Sequence, residues 1–412
     1  MKSMIRYSTL LFATVLIPMT ETYTQSGWFA QTSGTTNRLQ AVSFTDADNG
    51  TVVGEQGTIL RTTDGGATWM SQMSGTSEDL YGVSFTDVNT GTAVGIAGTI
   101  LRTTNGGATW TSWIGGTADH LYGVSFTVAD TGTAVGWIGT ILRTTDGGAM
   151  WMSQPTGDMA NLWGVSFTDA DNGTAVGEFG RILRTTDGGA TWMSQISGTT
   201  NHFYGVSFSD DNTGTAVGLF SIIRRTTDGG ATWMSQTSGT GQTLYGVSFT
   251  DANTGTAVGG GGVIIRTTDG GANWTCQVCT TAINLYGVSF TDANTGTAVG
   301  LFGTILRTTT GGVVWVEEEK GTGIPGQFVL NQNYPNPFNP STTFSFDIPH
   351  SSFAILKVYD IIGREVATLV NEELKPGSYG VPFDASGLAS GVYLYRLTAG
   401  SFSDVKRLLV LK

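Results

Sequence analysis

Eight tryptophans, Trp28, Trp69, Trp110, Trp151, Trp192, Trp233, Trp274 and Trp315, follow one another at 41-residue intervals without a single insertion. A strict period of this length, carried by short β-rich runs, leaves few folds open. The unit from Leu244 to Gln277 divides into "LYGVSF", "TAVG", "VIIRTT" and "NWTCQ". These runs are separated by Asp, Asn, Thr and Gly clusters that favour turns. Four strands per unit at a period of ~40–45 residues is the pattern of propeller blades. Seven complete units run from Leu39 to Trp315, so the expected fold is all-β, a seven-bladed β-propeller. The 60 glycines and the 13% of charged residues agree with turn-rich β structure.

Trp28 opens "WFAQTSG", a fourth-strand fragment with no first three strands before it. Such a half unit can pair with the last blade and remove an exposed sheet edge. Trp315 opens a competing strand, "WVEEEKG", and the sequence does not choose between them.

"TTDGGATW" at 62–69 returns with small changes at 103, 144, 185, 226 and 267, and as "TTTGGVVW" at 308. It falls between the third and fourth strands, where the chain must reverse. The carboxylate can accept backbone N–H groups across the turn, and the paired glycines supply positive φ. Asp64, Asn105, Asp146, Asp187, Asp228 and Asp269 therefore read as structural. Seven near-copies do not make one active site.

This motif resembles the Asp-box of sialidases and other propeller glycosidases. The whole unit, "LYGVSFTDANTGTAVG" through "GTILRTTDGGATW", looks more like the repeat of photosystem II stability and assembly factor-like propellers, over about 290 residues. That resemblance implies a fold and not a task. A photosystem role is not carried over, because both ends of the chain point to export. At the N-terminus, Lys2 and Arg6 precede an apolar run, Leu10 to Met19, and a polar stretch, the layout of a secretory signal peptide cut between about Thr20 and Ser26. At the C-terminus, "LNQNYPNPFNPSTTFSFDIP", "LKVYDIIGREVATLV", "SGVYLYRL" and "KRLLVLK" closely resemble the type A sorting domain of the type IX secretion system. The resemblance implies handling by that machinery and release or attachment outside the cell. Read residue by residue, Phe344, Phe346 and Ile348 alternate on one face, and Tyr393, Tyr395 and Leu397 oppose Val392, Leu394 and Arg396, as in an immunoglobulin-like β-sandwich. The expected organisation is a signal peptide at 1–26, the propeller at 27–316, a linker at 317–327 and the sorting domain at 328–412.

With strands lettered A to D, the A–B and C–D turns share one face of the disc, and the B–C turns and D–A loops share the other. The first face repeats almost unchanged; the second varies. Variation confined to one face of a rigid scaffold points to a binding surface. Its residues include Trp137, Phe179, Phe220 and Phe302, with Glu55, Glu78, Asp79, Asp119, His120, Asp158, Glu178 and Arg181. Aromatics among carboxylates suit a protein or a glycan equally. Drift of loop residues around a narrow channel is the competing reading.

Arg61, Arg102, Arg143, Arg184, Arg225, Arg266 and Arg307 form a second 41-residue series. Pairing with the turn acids Asp46, Asp87, Asp169, Asp210, Asp251 and Asp292 is preferred over an anion-binding ring, although the third unit has Val128 at that place.

A net charge of −12, with no lysine between Lys2 and Lys320, opposes nucleic-acid binding. No later segment approaches ~18 continuous apolar residues, so no transmembrane segment is expected. "DADNG" at 46–50 and 169–173 lacks the distal Glu of a calcium loop, and the three histidines are scattered, so neither metal nor cofactor is expected. Cys276 and Cys279 read as a local disulfide or two free thiols. The expected function is a monomeric, exported, non-catalytic propeller that binds a protein or surface polymer, with no catalytic residue assigned. The alternative is an Asp-box-type glycoside hydrolase, which needs two carboxylates about 5–10 Å apart. Glu55 and Glu178 are three blades apart.

Overall fold

The computed structural model describes residues 27–114, 116–157, 159–278, 283–312, 317–319, 325–338, 341–385 and 388–411. Residues 1–26, the segment read as a signal peptide, and Asp158, Cys279 and Trp315 lie outside the described residues.

In the first repeat, strand A (Leu39–Phe44) pairs antiparallel with B (Gly50–Gly54), B with C (Ile59–Thr62), and C with D (Met70–Ser71). The same meander builds seven four-stranded sheets. A strands of successive sheets pack side by side, and Leu39–Phe44 packs against Leu285–Phe290 of the last, so the array closes into a ring. The D strands, two to four residues long, form the rim.

The closing strand is Phe29–Gln31, with Phe29 opposite Arg307 and Gln31 opposite Ile305. Trp28 takes the place a fourth-strand tryptophan holds elsewhere. Its Nε1 donates to Gln277 Oε1 at 3.0 Å and its ring meets Phe290 edge-on at 5.7 Å. The competing segment goes elsewhere. Glu317–Glu319, inside the stretch read as a linker, pairs with Ser378–Gly380 of the C-terminal unit.

The apolar core lies between sheets. Val53 and Ile59 of the first blade pack with Leu80, Ala93 and Leu101 of the second. Strand B is buried along its whole length, as expected of a strand covered on both faces. Its terminal glycine is forced by close approach: a Cβ on Gly54 would lie 2.1 Å from the Arg38 carbonyl oxygen.

The C-terminal unit is two four-stranded sheets around one core. Phe344, Phe346, Ile348, Tyr395 and Leu397 are buried, whereas Val392, Leu394 and Arg396 are exposed, so the alternation read from the sequence marks inside and outside. The Tyr395 hydroxyl donates to the Asn331 carbonyl and accepts from Asn333 N–H, both at 2.8 Å. Burial pushes its pKa up to about 12. Among the described residues no helix is long and apolar enough to cross a membrane.

Candidate ligand-binding face

The two faces of the ring differ in chemistry. On the repeated face, Asp64 Oδ1 accepts Thr68 N–H at 2.9 Å and the Thr62 hydroxyl at 2.8 Å, and Oδ2 accepts the Thr68 hydroxyl at 2.6 Å. Gly65 and Gly66 take φ of 67° and 85°. Hydrogen bonds, the Thr68 hydroxyl foremost, pull the Asp64 pKa down to about 2. Asn105 holds the same turn through Thr109 N–H at 3.0 Å. Trp69 then ties blades together: its Nε1 donates to Gln31 Oε1 at 3.1 Å, and Gln31 Nε2 donates to the Gly65 carbonyl at 2.9 Å.

The arginine series is also structural, but not through the acids the sequence proposed. Arg61 Nη1 donates to Thr51 Oγ1 at 3.0 Å and Nη2 to the Val88 carbonyl of the next blade at 2.8 Å. Its guanidinium lies 5.2 Å from the Phe85 ring centre. The others follow this pattern, Arg225 reaching the Ala252 carbonyl and Arg307 the Ala47 carbonyl across the closure. The turn acids are engaged elsewhere. Asp46 Oδ1 closes its own turn by accepting Asp48 N–H at 2.9 Å and Asn49 N–H at 2.8 Å. Asp46 makes no direct ion pair with Arg61; Asn49 stands between them, accepting from Arg61 Nη2 at 3.5 Å and donating to both Asp46 oxygens at 3.0 Å. Where Val128 replaces the acid, strand A runs on through Val128 and the turn tightens.

On the variable face each B–C turn is a short 3-10 turn whose middle residue has positive φ. The residues are Gln56, Ala97, Ile138, Phe179, Phe220 and Phe302, at 52–57°, and in the sixth turn Gly261 at 61°, where no Cβ is present. Left-handed backbone disfavours a Cβ, so the non-glycine positions carry strain. The turn N–H is capped by the neighbouring D–A loop: Gln56 by Asp79 Oδ1 at 2.9 Å, Ala97 by His120 Nδ1 at 3.0 Å, and Ile138 by Asn161 Oδ1 at 2.9 Å. Accepting at Nδ1 leaves the neutral His120 ring its proton on Nε2.

Among the residues singled out from the sequence, His120 stacks on Trp137, centres 5.5 Å apart and planes 17° apart. Phe179 lies 5.2 Å from His202. Phe179, Phe220 and Phe302 are each 69% exposed and Trp137 42%. Phe302 borders an open groove of about 630 Å³ beside Ser33–Thr36 at the ring closure. The charged members do not converge. Glu55 pairs with Arg38 at 3.3 Å, Glu178 accepts from Asn161 Nδ2 at 3.0 Å, and Arg181 Nη1 reaches outward to Ser194 Oγ at 2.9 Å. Among the described residues no group of three His, Cys, Asp or Glu side chains is placed to hold a metal ion. Cys276 is disulfide-bonded.

One feature of this face was not read from the sequence. Every A strand carries a register shift between its first and third residues, such as Leu80 and Gly82. A bulge leaves the intervening residue unpaired and re-aims its side chain. Those residues are Gln40, Tyr81, Tyr122, Trp163, Tyr204, Tyr245 and Tyr286, half-buried on the innermost strands. The signal was the second letter of "LYGVSF", an aromatic in all units but the first.

A closed ring of seven antiparallel sheets, locked by Asp-box turns on one face and presenting varied turns on the other, is a β-propeller scaffold. The family described as photosynthesis system II assembly factor YCF48 matches residues 20–114 and 155–278, more than half of the chain, and this chain belongs to it. Residues 332–411 match the secretion system C-terminal sorting domain, a tail that marks a chain for export to the cell surface or the medium. No curated protein matches the chain. Among solved structures, YCF48 bound to D1 peptide is similar at 21% identity and a TM-score of 0.60, covering 71% of this chain and 100% of that one. YCF48 from Cyanidioschyzon merolae is similar at 21% identity and a TM-score of 0.58, over 68% and 98%. The WD40 propeller domain of Doa1 aligns at 12% identity and a TM-score of 0.57, over 69% and 96%. At these identities the likeness shows the fold alone.

Proposed function

We propose that this chain is an exported, non-catalytic binding protein that holds a protein or surface-polymer partner on the face of the B–C turns and D–A loops. The observation that carries this reading is the trio Phe179, Phe220 and Phe302. Each combines a left-handed backbone with 69% exposure. Folding gains little from an aromatic ring left in water, and the backbone conformation favours glycine. A partner that covers the rings supplies the missing benefit. The separation of Glu55 from Glu178, each bonded within its own blade, supports binding over hydrolysis. The solved relative bound to a peptide supports a macromolecular ligand.

The test uses the full secreted chain on peptide and glycan arrays. Selective capture that is lost in Phe220→Ala and Trp137→Ala, with melting temperature retained, is the expected result. Phe220→Gly should raise stability by about 1 kcal/mol by relieving the left-handed strain. Turnover of any member of a glycoside panel would overturn the non-catalytic reading. Collapse of the fold in these variants would place the rings in the core instead.

A further inference from the structure

The bulged positions meet around the axis of the ring. Adjacent pairs are in contact: Tyr81 with Tyr122 at 5.5 Å between centres, Trp163 with Tyr204 at 4.8 Å, Tyr204 with Tyr245 at 5.5 Å and Tyr245 with Tyr286 at 5.2 Å. Seven places at this spacing put the ring centres on a circle of about 6 Å radius. The tyrosine pairs are inclined by 51°, 52° and 48°. A sevenfold ring turns by about 51° per blade, so these rings keep one pose around the axis and stand with their planes along it. The result is a tube wall of aromatic rings.

Two places interrupt the wall: among the described residues no ring contact joins Tyr122 to Trp163, and the first blade carries Gln40. There the protein itself supplies a cation: the Arg38 guanidinium lies over Tyr286 at 5.4 Å while paired with Glu55. The mouth is otherwise acidic. Glu55, Glu78, Asp79, Asp119 and Glu178 lie on its turns and loops. Of the cations, Arg38 is already paired, Arg181 reaches Ser194, and Arg224 is held by the Ser197 and Gly198 carbonyls. Burial is the main cause that raises the Tyr81, Tyr122 and Tyr204 hydroxyls, with carboxylates adding to it, Asp79 at Tyr81 and Glu178 at the other two. The wall is thus uncharged, and negative potential surrounds it.

We infer that this axial collar takes the side chain of a lysine or arginine presented by a protein partner, an assignment that rests on the binding face argued above. A ring quadrupole attracts a cation, and desolvation inside the tube strengthens the attraction. The acidic mouth and the net charge of −12 steer basic segments toward it.

The test titrates the full secreted chain with a blocked Gly-Ser peptide carrying a single arginine, followed by NMR, beside peptides with lysine or neutral citrulline at that place. Arginine and lysine should bind at least about tenfold more tightly than citrulline, the step expected of a desolvated cation–π contact. Tyr204→Leu should weaken arginine binding about tenfold, and Tyr204→Phe, which keeps the ring, should not. Equal binding of arginine and citrulline would overturn the assignment without recourse to any variant. So would no binding of the arginine peptide by a chain that captures array ligands in a Phe220-dependent way, an outcome that leaves the binding face standing. Failure of both experiments removes both.

Discussion

Asp64 and Asn105 occupy equivalent turns, and their difference exposes what the carboxylate adds. Both accept the backbone N–H four residues on, so both close the turn at neutral pH. Only the carboxylate has a depressed pKa, about 2 at Asp64, Asp187, Asp228 and Asp269 against an ordinary value of 3.8. A pKa lowered on folding contributes stability that is present above the unfolded value and lost as pH falls through the folded one. Acid sensitivity between about pH 4 and pH 2 is therefore expected from these turns, and none from Asn105. Replacing the four with asparagine should flatten the urea midpoint across that window while leaving the value near pH 7 close to the parent's. A midpoint that still falls in parallel with the parent would assign acid sensitivity to other carboxylates. This turn chemistry was legible in the sequence because its donors and acceptors lie within eight residues. The acceptors of Arg61 were not legible, because one is a carbonyl in the next blade and a carbonyl has no letter of its own.

Between blades, the tryptophans show how identical letters acquire different energies. Trp233 Nε1 donates to Gln195 Oε1 at 3.0 Å, and that Gln donates to the Gly229 carbonyl at 3.0 Å. The equivalent partner of Trp151 is Trp113, which has no acceptor, and Trp151 Nε1 is buried without a hydrogen bond. Trp233→Phe should therefore cost about 1 kcal/mol more than Trp151→Phe, the usual net worth of a hydrogen bond. Paired urea melts of the two variants measure the difference; equal losses would mean that packing alone sets the worth of this position. Strand boundaries followed from the repeat, since turn residues and β-branched runs alternate in every unit. The bulge in strand A did not, because a one-residue register shift depends on the curvature of neighbouring sheets and leaves no gap in the period.

At the scale of the whole molecule, closure rests on four residues, Trp28 to Gln31. Phe29–Gln31 covers the edge of Ile305–Thr308 in the last sheet, and Trp28, 2% exposed, anchors it. Without them the edge presents unpaired backbone groups, a template for pairing with another copy. Deleting residues 27–31 should convert the protein to oligomers in light scattering at a concentration where the parent remains a single species. A deletion variant with the parent's mass and melting temperature would show that another segment can close the ring.

The propeller, its seven units, the hairpin turns and the C-terminal sandwich were legible along the chain, because each follows from local spacing or alternation. Tertiary structure alone decided which of two tryptophans closes the ring, that the arginines bind carbonyls instead of carboxylates, and that six aromatics form a collar. Each of these joins residues of different blades. Contacts of that kind depend on how sheets pack around an axis, a property that no single repeat contains.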